Sequence, residues 1–384
     1  MTTDISINRR TALGTALAAA SVSSAHAASP NSNRSDSTMK AYEIGDTSKG
    51  IGLRLVDRPA LKPGFGQVVI KVRATGLNAR DLSILKGGLM GKSVPSTRIP
   101  LMDVAGDVLL VGPGVSRVKV SDRVTMTHYW KWLDGAWDVS MREEDYSNTL
   151  DGFLAEQALV QADPLVKIPD SVTYEDASTI PSAGLTAWNA VIEAGHTKPG
   201  YTVLTIGTGG VSMFGLQWAK MMGARVIITS SSDAKLEKMK ALGADVAINY
   251  RTTPNWSQAV LDATNGRGAD VVLNNVGMGE MEQCLMACAS GGKVMYIGAN
   301  AVTPDRKDAP PTALTRFPNL IIKDLTIKGI IVGSRRMFED LLAAMATNNI
   351  KPIIDRVYAF DQVHDAIAYM QSGDKIGKIV IRVG

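Results

Sequence analysis

Residues 202 to 251 read TVLTIGTGGVSMFGLQWAKMMGARVIITSSSDAKLEKMKALGADVAINYR. The stretch opens on a β-branched apolar run, Thr202 to Ile206, between Gly200 and Gly207. A short continuous apolar run bounded by glycines predicts a strand buried in a parallel sheet. Gly207-Thr208-Gly209-Gly210 follows. Then Val211, Phe214, Leu216, Trp218, Ala219 and Met222 recur at helical spacing up to Gly223, which predicts a helix with a glycine stop. A second strand is expected over Arg225 to Thr229. Strand, turn, helix and strand within about thirty residues make a βαβ unit. Its first turn offers backbone N–H groups and a positive helix end to a pyrophosphate. Gly207 and Gly209 match the first two glycines of G-x-G-x-x-G, with Ser212 at the third. The flanking elements supply the context this motif needs. Gly207, Thr208, Gly209, Gly210, Val211 and Ser212 are therefore the expected contacts of a dinucleotide.

The end of the second strand bears on which dinucleotide. An Asp or Glu there accepts from ribose hydroxyls and repels a 2′-phosphate. This chain has Ser230-Ser231-Ser232 instead. Asp233 opens the next helical pattern, where a carboxylate complements the helix dipole. The hydroxyls of Ser230, Ser231 and Ser232, with Lys235 and Arg251, suit a phosphate, so NADP(H) is expected over NAD(H), and Tyr250 is a further expected cofactor contact.

With 384 residues the chain is long enough for two domains and a large core. Its 45% apolar and 20% charged content is that of a globular protein, and the net charge of +4 is spread out. No basic tract suggests a nucleic-acid partner, and the apolar stretch near the N-terminus is too short to span a bilayer. Cys284 and Cys288 are the two cysteines. They fall one turn apart in an expected helix, Gly279 to Ala289, which points to packing rather than a disulfide. His26, His128, His196 and His364 are scattered and form no metal-binding pattern.

Residues 1–27 read as an export signal: paired Arg9-Arg10, a short Ala-rich apolar core, and Ala25-His26-Ala27 as a cleavage site. The pattern resembles a twin-arginine signal, with Ala12 in place of the usual Phe. Periplasmic location is the expectation. A translation start at Met39, and hence a cytoplasmic protein, is the alternative. Residues 28–38, rich in Ser and Asn, are expected to be a disordered linker. From Met39 to about Pro164 short alternating patterns predict an antiparallel, barrel-like domain: Gly66 to Gly76, Val104 to Val111, and Val115 to Val124. A helix is expected over Tyr174 to Gly195. Beyond the opening stretch, strands at Val246 to Ile248, Asp270 to Leu273, Lys293 to Ile297 and Thr326 to Val332 complete a sheet of about six strands. Ala309 to Pro318 reads as a Pro-rich loop. The tail from Ile350 is expected to return to the first domain.

This α/β order, with Pro63-Gly-Phe-Gly-Gln-Val-Val-Ile-Lys-Val, Gly76-Leu-Asn-Ala-Arg-Asp-Leu, Gly184-Leu-Thr-Ala-Trp and Gly207-Thr-Gly-Gly-Val-Ser, resembles the medium-chain dehydrogenase/reductase superfamily. Within it, the chain is similar to the alcohol dehydrogenase-like and quinone oxidoreductase branch. The resemblance implies a GroES-like catalytic domain over 39–166 plus 334–384 and a Rossmann domain with a doubly wound parallel sheet over 167–333. A homodimer follows by analogy.

At the positions where zinc alcohol dehydrogenases carry their metal ligands this chain has Asn78, Met102 and about Ser182, and Asp103 stands for the usual Glu. Asn, Met and Ser do not build a tight zinc site, so none is expected. Hydrogen-bond donors must then stabilise charge on an acceptor oxygen. Asn78, Arg80, Thr186 and Tyr129 are the candidates. Asp81 orients the site or pairs with Arg80, and Asp103 orients a donor or caps a turn. Tyr129, Trp130 and Trp132 are candidate walls of an apolar pocket. The expected activity is hydride transfer between NADPH and a small carbonyl, enone or quinone, or the reverse from an alcohol. The alternatives are a zinc alcohol dehydrogenase with a weak metal site and an inactive NADPH-binding protein.

Overall fold

The computed structural model describes residues 38–48, 50–89, 91–298 and 318–384. The expected signal, nearly all of the linker and residues 309–317 of the Pro-rich stretch lie outside the described residues.

The run Thr202–Ile206 is buried throughout and lies inside a six-stranded parallel sheet. In spatial order the strands are Val246–Asn249, Arg225–Ser230, Thr202–Ile206, Ala269–Asn274, Cys288–Tyr296 and Thr326–Gly329. The chain winds outward from Thr202–Ile206 on one side, then returns to start Ala269–Asn274 on its other side. That reversal opens a crevice at the carboxyl ends of these two strands, where ligands of such sheets bind. Helix Gly210–Met221 covers the sheet and drives Trp218 into the core. There the indole stacks on Phe214 with ring centroids 5.6 Å apart and meets Trp188 edge-on at 5.7 Å. Its Nε1 donates to Gly184 O at 3.1 Å, so the burial leaves no orphaned donor.

A second, seven-stranded sheet is built around the long strand Gln67–Leu77. Ala105–Val111 and Gln157–Gln161 pair with it antiparallel, and Arg123–Met126 and Leu165–Lys167 extend it. The tail returns to this sheet: Lys378–Arg382 runs antiparallel to Gln67–Leu77 with Ile379 opposite Leu77. Strand Ile354–Ala359 lies parallel outside it.

Three local expectations change. Strand begins only at Arg123 in the Val115 to Val124 stretch. Before it, Asp122 accepts from the Lys119 N–H and Ser121 takes a positive φ, which makes a turn. The helix carrying the cysteines ends at Ala287, and Cys288 opens the strand paired with Ala269. Both thiols are free and buried, and burial pushes Cys288 up to about 12 and Cys284 well above its ordinary value. Neither is a reactive thiolate. The helix expected over Tyr174 to Gly195 is broken into short pieces, with two wide π-type turns, Ile180–Gly184 and Asn189–Glu193. Pro181 has no N–H to donate, which favours the first. Such bulges re-aim side chains at functional sites, and both Ser182 and Thr186 face the crevice.

Candidate active site

Gly207 holds φ +83°, a left-handed conformation that glycine adopts without a Cβ penalty. Gly209 is extended and caps helix Gly210–Met221. The C-terminal segment lies across this turn. Gly377 N donates to Thr208 O at 2.9 Å, and Gly377 bridges Gly209. A Cβ on Gly210 would come within 2.8 Å of Lys378 Cδ and 3.0 Å of Ala183 Cβ. Ser212, at the third-glycine position, donates to Ile206 O at 2.9 Å and accepts from Asn275 Nδ2 at 2.9 Å. Its hydroxyl ties strand, helix and crevice floor together. Lys375 Nζ lies 3.7 Å from where a Gly209 Cβ would stand. Burial, with the charges of Lys378 and Lys235, holds Lys375 down at about 8. Backbone donors, a helix N-terminus and a close lysine fit a pyrophosphate.

At the end of Arg225–Ser230, Ser230 is buried and Ser232 caps the next helix. Asp233 is held by Asn249 Nδ2 at 2.7 Å within the first turn of that helix. Tyr250 N donates to Ser230 O at 3.0 Å, which brings these two residues together. Lys235 Nζ reaches Gly373 O at 2.6 Å. The strand end itself carries no carboxylate.

Facing the glycine turn, Asn78, Asp103 and Lys378 form a closed polar cluster. Lys378, 2% exposed, donates to Asn78 Oδ1 at 2.6 Å, Leu77 O at 2.8 Å and Asp103 Oδ2 at 3.0 Å. Asn78 Nδ2 donates to the same Asp103 oxygen at 2.8 Å and makes a longer contact of 3.4 Å to Gly76 O. Asp103 therefore orients the Asn78 amide. Burial raises the Asp103 carboxyl, opposed by Lys378 and Asn78. Asp81 accepts from the Asn78 N–H at 2.8 Å, and burial with the neighbouring Asp103 charge pushes it up to about 7.

Pairing of Asp81 with Arg80 does not occur. Arg80 bonds Asp145 at 2.5 Å instead, reaches His128 Nε2 at 3.2 Å, and contacts the Tyr129 hydroxyl at 3.4 Å. A guanidinium only donates, so His128 Nε2 is the acceptor and the proton sits on Nδ1. Burial and the Arg80 charge hold His128 well below its ordinary value, so it is neutral. Burial raises the Tyr129 phenol, with Asp145 adding to the effect and Arg80 opposing it.

These groups share a cleft of about 710 Å³ whose lining runs from Gly209, Gly210, Val211 and Ser212 to Asn78, Tyr129 and Thr186. Of the candidate aromatic walls Tyr129, Trp130 and Trp132, only Tyr129 lines it. Trp132 packs into the core beside Trp137, and Trp130 bonds Glu144 at 2.7 Å. Lys375, Lys378, Arg142 and the Arg80–Asp145 pair carried no signal in the sequence, because their partners are remote along the chain.

The residues do not fit the zinc that relatives are named for. Asn78 Oδ1 and Asp103 Oδ2 already hold an ammonium, which would repel a divalent cation, and Met102 is buried. Among the described residues no three His, Cys, Asp or Glu side chains gather to bind a metal, and no helix is long and apolar enough to cross a membrane.

Residues 64–170 match the alcohol dehydrogenase GroES-like domain and residues 210–347 the zinc-binding dehydrogenase model. A zinc-type alcohol dehydrogenase-like protein of Schizosaccharomyces pombe is 36% identical over 83% of this chain and 91% of its own length. An L-threonine 3-dehydrogenase of Pyrococcus horikoshii is 34% identical over 89% and 98%. A solved NAD-dependent alcohol dehydrogenase superposes with a TM-score of 0.78 at 28% identity, over 90% of this chain and 100% of that one. On the sheet, the glycine turn and these matches, the chain belongs to the medium-chain dehydrogenase/reductase superfamily, as a nicotinamide-dependent, alcohol dehydrogenase-like oxidoreductase.

Proposed function

We propose that this protein transfers hydride between NADP(H) and a small carbonyl, enone or quinone, or in reverse from an alcohol, without zinc. The observation that carries this reading is the Lys378 ammonium held by Asn78, Asp103 and Leu77 O in the same cleft as the glycine turn. The cleft supports pyrophosphate at Gly209 and Gly210, beside Lys375. The serine-rich strand end, Lys235 and Tyr250 support a 2′-phosphate. When bound, the coenzyme supplies or accepts the hydride.

The chain's own residues orient the acceptor. The Thr186 hydroxyl faces the cleft from the helical turn after Gly184. Tyr129 offers a phenol beside the Arg80 charge, which favours donation to a developing oxyanion. Asn78 lines the same cleft, with its planar amide held in one orientation by Asp103 and Lys378. Asp81 and Asp103 act through Asn78.

NADPH and NADH oxidation should be assayed against aldehydes, enones and quinones, with metal analysis of the active protein. Turnover with NADPH in metal-free protein is expected. Activity that depends on stoichiometric zinc would favour the zinc alcohol dehydrogenase reading, which the names of the relatives support. Tight NADPH binding without turnover on any acceptor would favour an inert coenzyme-binding protein. Export to the periplasm by the twin-arginine route and a homodimer complete the proposal. Fractionation with N-terminal sequencing and light scattering test them.

A further inference from the structure

Reduction of a carbonyl needs a proton on the acceptor oxygen. Five titratable side chains line the described part of the cleft: Arg80, Tyr129, Arg142, Lys375 and Lys378. A guanidinium does not give up its proton in a protein, which removes Arg80 and Arg142. Lys378 directs its three N–H bonds at Leu77 O, Asn78 Oδ1 and Asp103 Oδ2. Lys375 stands beside Gly209, in the turn we assign to pyrophosphate. The phenol of Tyr129 remains.

The way Tyr129 is held aims its hydrogen. Arg80 is fixed from behind. Its Nη2 donates to Asp145 Oδ2 at 2.5 Å, and its Nη1 donates to His128 Nε2 at 3.2 Å and to the Tyr129 hydroxyl at 3.4 Å. Asp145 and His128 are 0% and 1% exposed, so both anchors are buried. The Tyr129 ring is wedged between His128, with centroids 4.3 Å apart, and Trp137, edge-on at 5.0 Å. A guanidinium offers no lone pair. The phenol oxygen is therefore the acceptor in its contact with Arg80, and its own O–H points elsewhere. Among the described residues that O–H meets no acceptor, and Tyr129 lines the cleft. Burial keeps the phenol protonated at rest, while the Arg80 charge favours the anion it would leave.

We infer that Tyr129 is the proton donor of the reaction and that Arg80, held by Asp145 and His128, is the residue that aims it. This rests on the hydride-transfer reading above and goes beyond it, from a hydrogen bond to a proton transfer. When hydride reaches the acceptor carbon, the π pair of the C=O bond moves to oxygen. The Tyr129 O–H bond breaks, its proton joins that oxygen, and its bonding pair stays on the phenolate beside Arg80. The phenolate then takes a proton from solvent. Tyr129 is the catalytic residue of this step, and Arg80 is a positioning residue that acts through it.

Three measurements on the full chain test this. In the first, turnover with NADPH is followed for the best carbonyl acceptor and for 1-nitrocyclohexene. The nitronate formed from the nitroalkene is a stable anion, so its hydride step needs no proton. Tyr129→Phe should lower kcat on the carbonyl about a hundredfold. It should keep most of the nitroalkene turnover and leave the Kd for NADPH unchanged. In the second, Tyr129→Phe is combined with Arg80→Lys, which keeps a charge for Asp145 and removes the fork. Most of the Tyr129→Phe penalty should vanish in that background. In the third, dimethylformamide, dimethylacetamide and dimethylbenzamide, labelled with carbon-13 at the carbonyl, are bound to the NADPH complex. These amides are not reduced, and difference infrared spectroscopy reads the tightest binder. Its carbonyl stretch should lie lower in the wild type than in Tyr129→Phe.

A lower stretch in the wild type, without turnover of any acceptor, keeps the aimed phenol and overturns the proposed hydride transfer. Turnover with equal stretches, or with equal losses on carbonyl and nitroalkene, overturns the proton donor and leaves the hydride transfer standing. Full additivity of Arg80→Lys and Tyr129→Phe overturns the role of Arg80.

Discussion

Lys378→Met is the sharpest perturbation of this site. Methionine keeps an unbranched apolar stem against Gly210 and removes only the charged head. Lys378 and Asp103 are 2% and 0% exposed, and their contact is 3.0 Å. Removing one partner of a buried pair leaves an uncompensated charge and typically costs about 3–5 kcal/mol. The Asn78 and Leu77 oxygens lose their donor as well, so the upper part of that range is expected. The Asp103 carboxyl, already raised by burial, loses the cation that opposes the rise and moves up further.

A carboxyl raised in the folded state favours folding at low pH and loses that advantage as pH rises through the folded value. The deficit of Lys378→Met should therefore shrink on acidification from pH 8 towards pH 5. Asp103→Asn added to Lys378→Met removes the stranded charge and should restore more than half the lost stability. Urea unfolding without coenzyme, followed by tryptophan fluorescence, reads all four corners of this cycle. A single-variant loss below about 1 kcal/mol, the size of an exposed pair, refutes the argument. So does a double variant no more stable than Lys378→Met.

Lys235→Ala should lower kcat/KM with NADPH about tenfold and leave NADH within about twofold, as loss of one charge-assisted contact to phosphate requires; steady-state kinetics with both coenzymes checks it. Lys375 is held down at about 8, so its charge, which attracts phosphate, disappears as pH rises through that value. The Kd for NADPH by fluorescence titration should weaken between pH 7 and pH 9, and Lys375→Arg should flatten the profile. Gly377 holds φ +77°, and its Cβ would fall 2.2 Å from Ile353 O. Gly377→Ala should cost at least about 2 kcal/mol, from left-handed strain and the clash together. It should also weaken NADPH binding, because Gly377 N holds Thr208 O; thermal melts and the same titration read both.

The coenzyme half of the site was legible because its signals are local. Strand, glycine turn, helix stop and serine run all fall within residues 202–251, and each residue's role depends on near neighbours. The cysteine helix was over-extended by two residues at its C-terminal end, Cys288 and Ala289, for a related reason. Cys288 fits a helical pattern, and only pairing with Ala269 makes it a strand start. The acceptor half was legible as positions but not as partners. Asn78, Asp81, Tyr129 and Thr186 could be named, yet what they touch comes from far along the chain. Lys378 reaches Asn78 across 300 residues, and Arg80 reaches Asp145 across 65. No periodicity encodes such contacts. Arg80 beside Asp81 invited a neighbour pairing that the fold breaks.

The C-terminal segment has a consequence for how the protein is made. Gly377 and Lys378 complete the glycine turn, and Lys378–Arg382 fills a place in the sheet of the first domain. These residues leave the ribosome only after the whole βαβ unit. Until then a nascent chain has the βαβ unit but lacks the lysines and the bridge that stand against its glycine turn. Coenzyme retention is thus a test of completed synthesis, and a chain truncated by ten residues should be recognisable by its failure to hold NADPH.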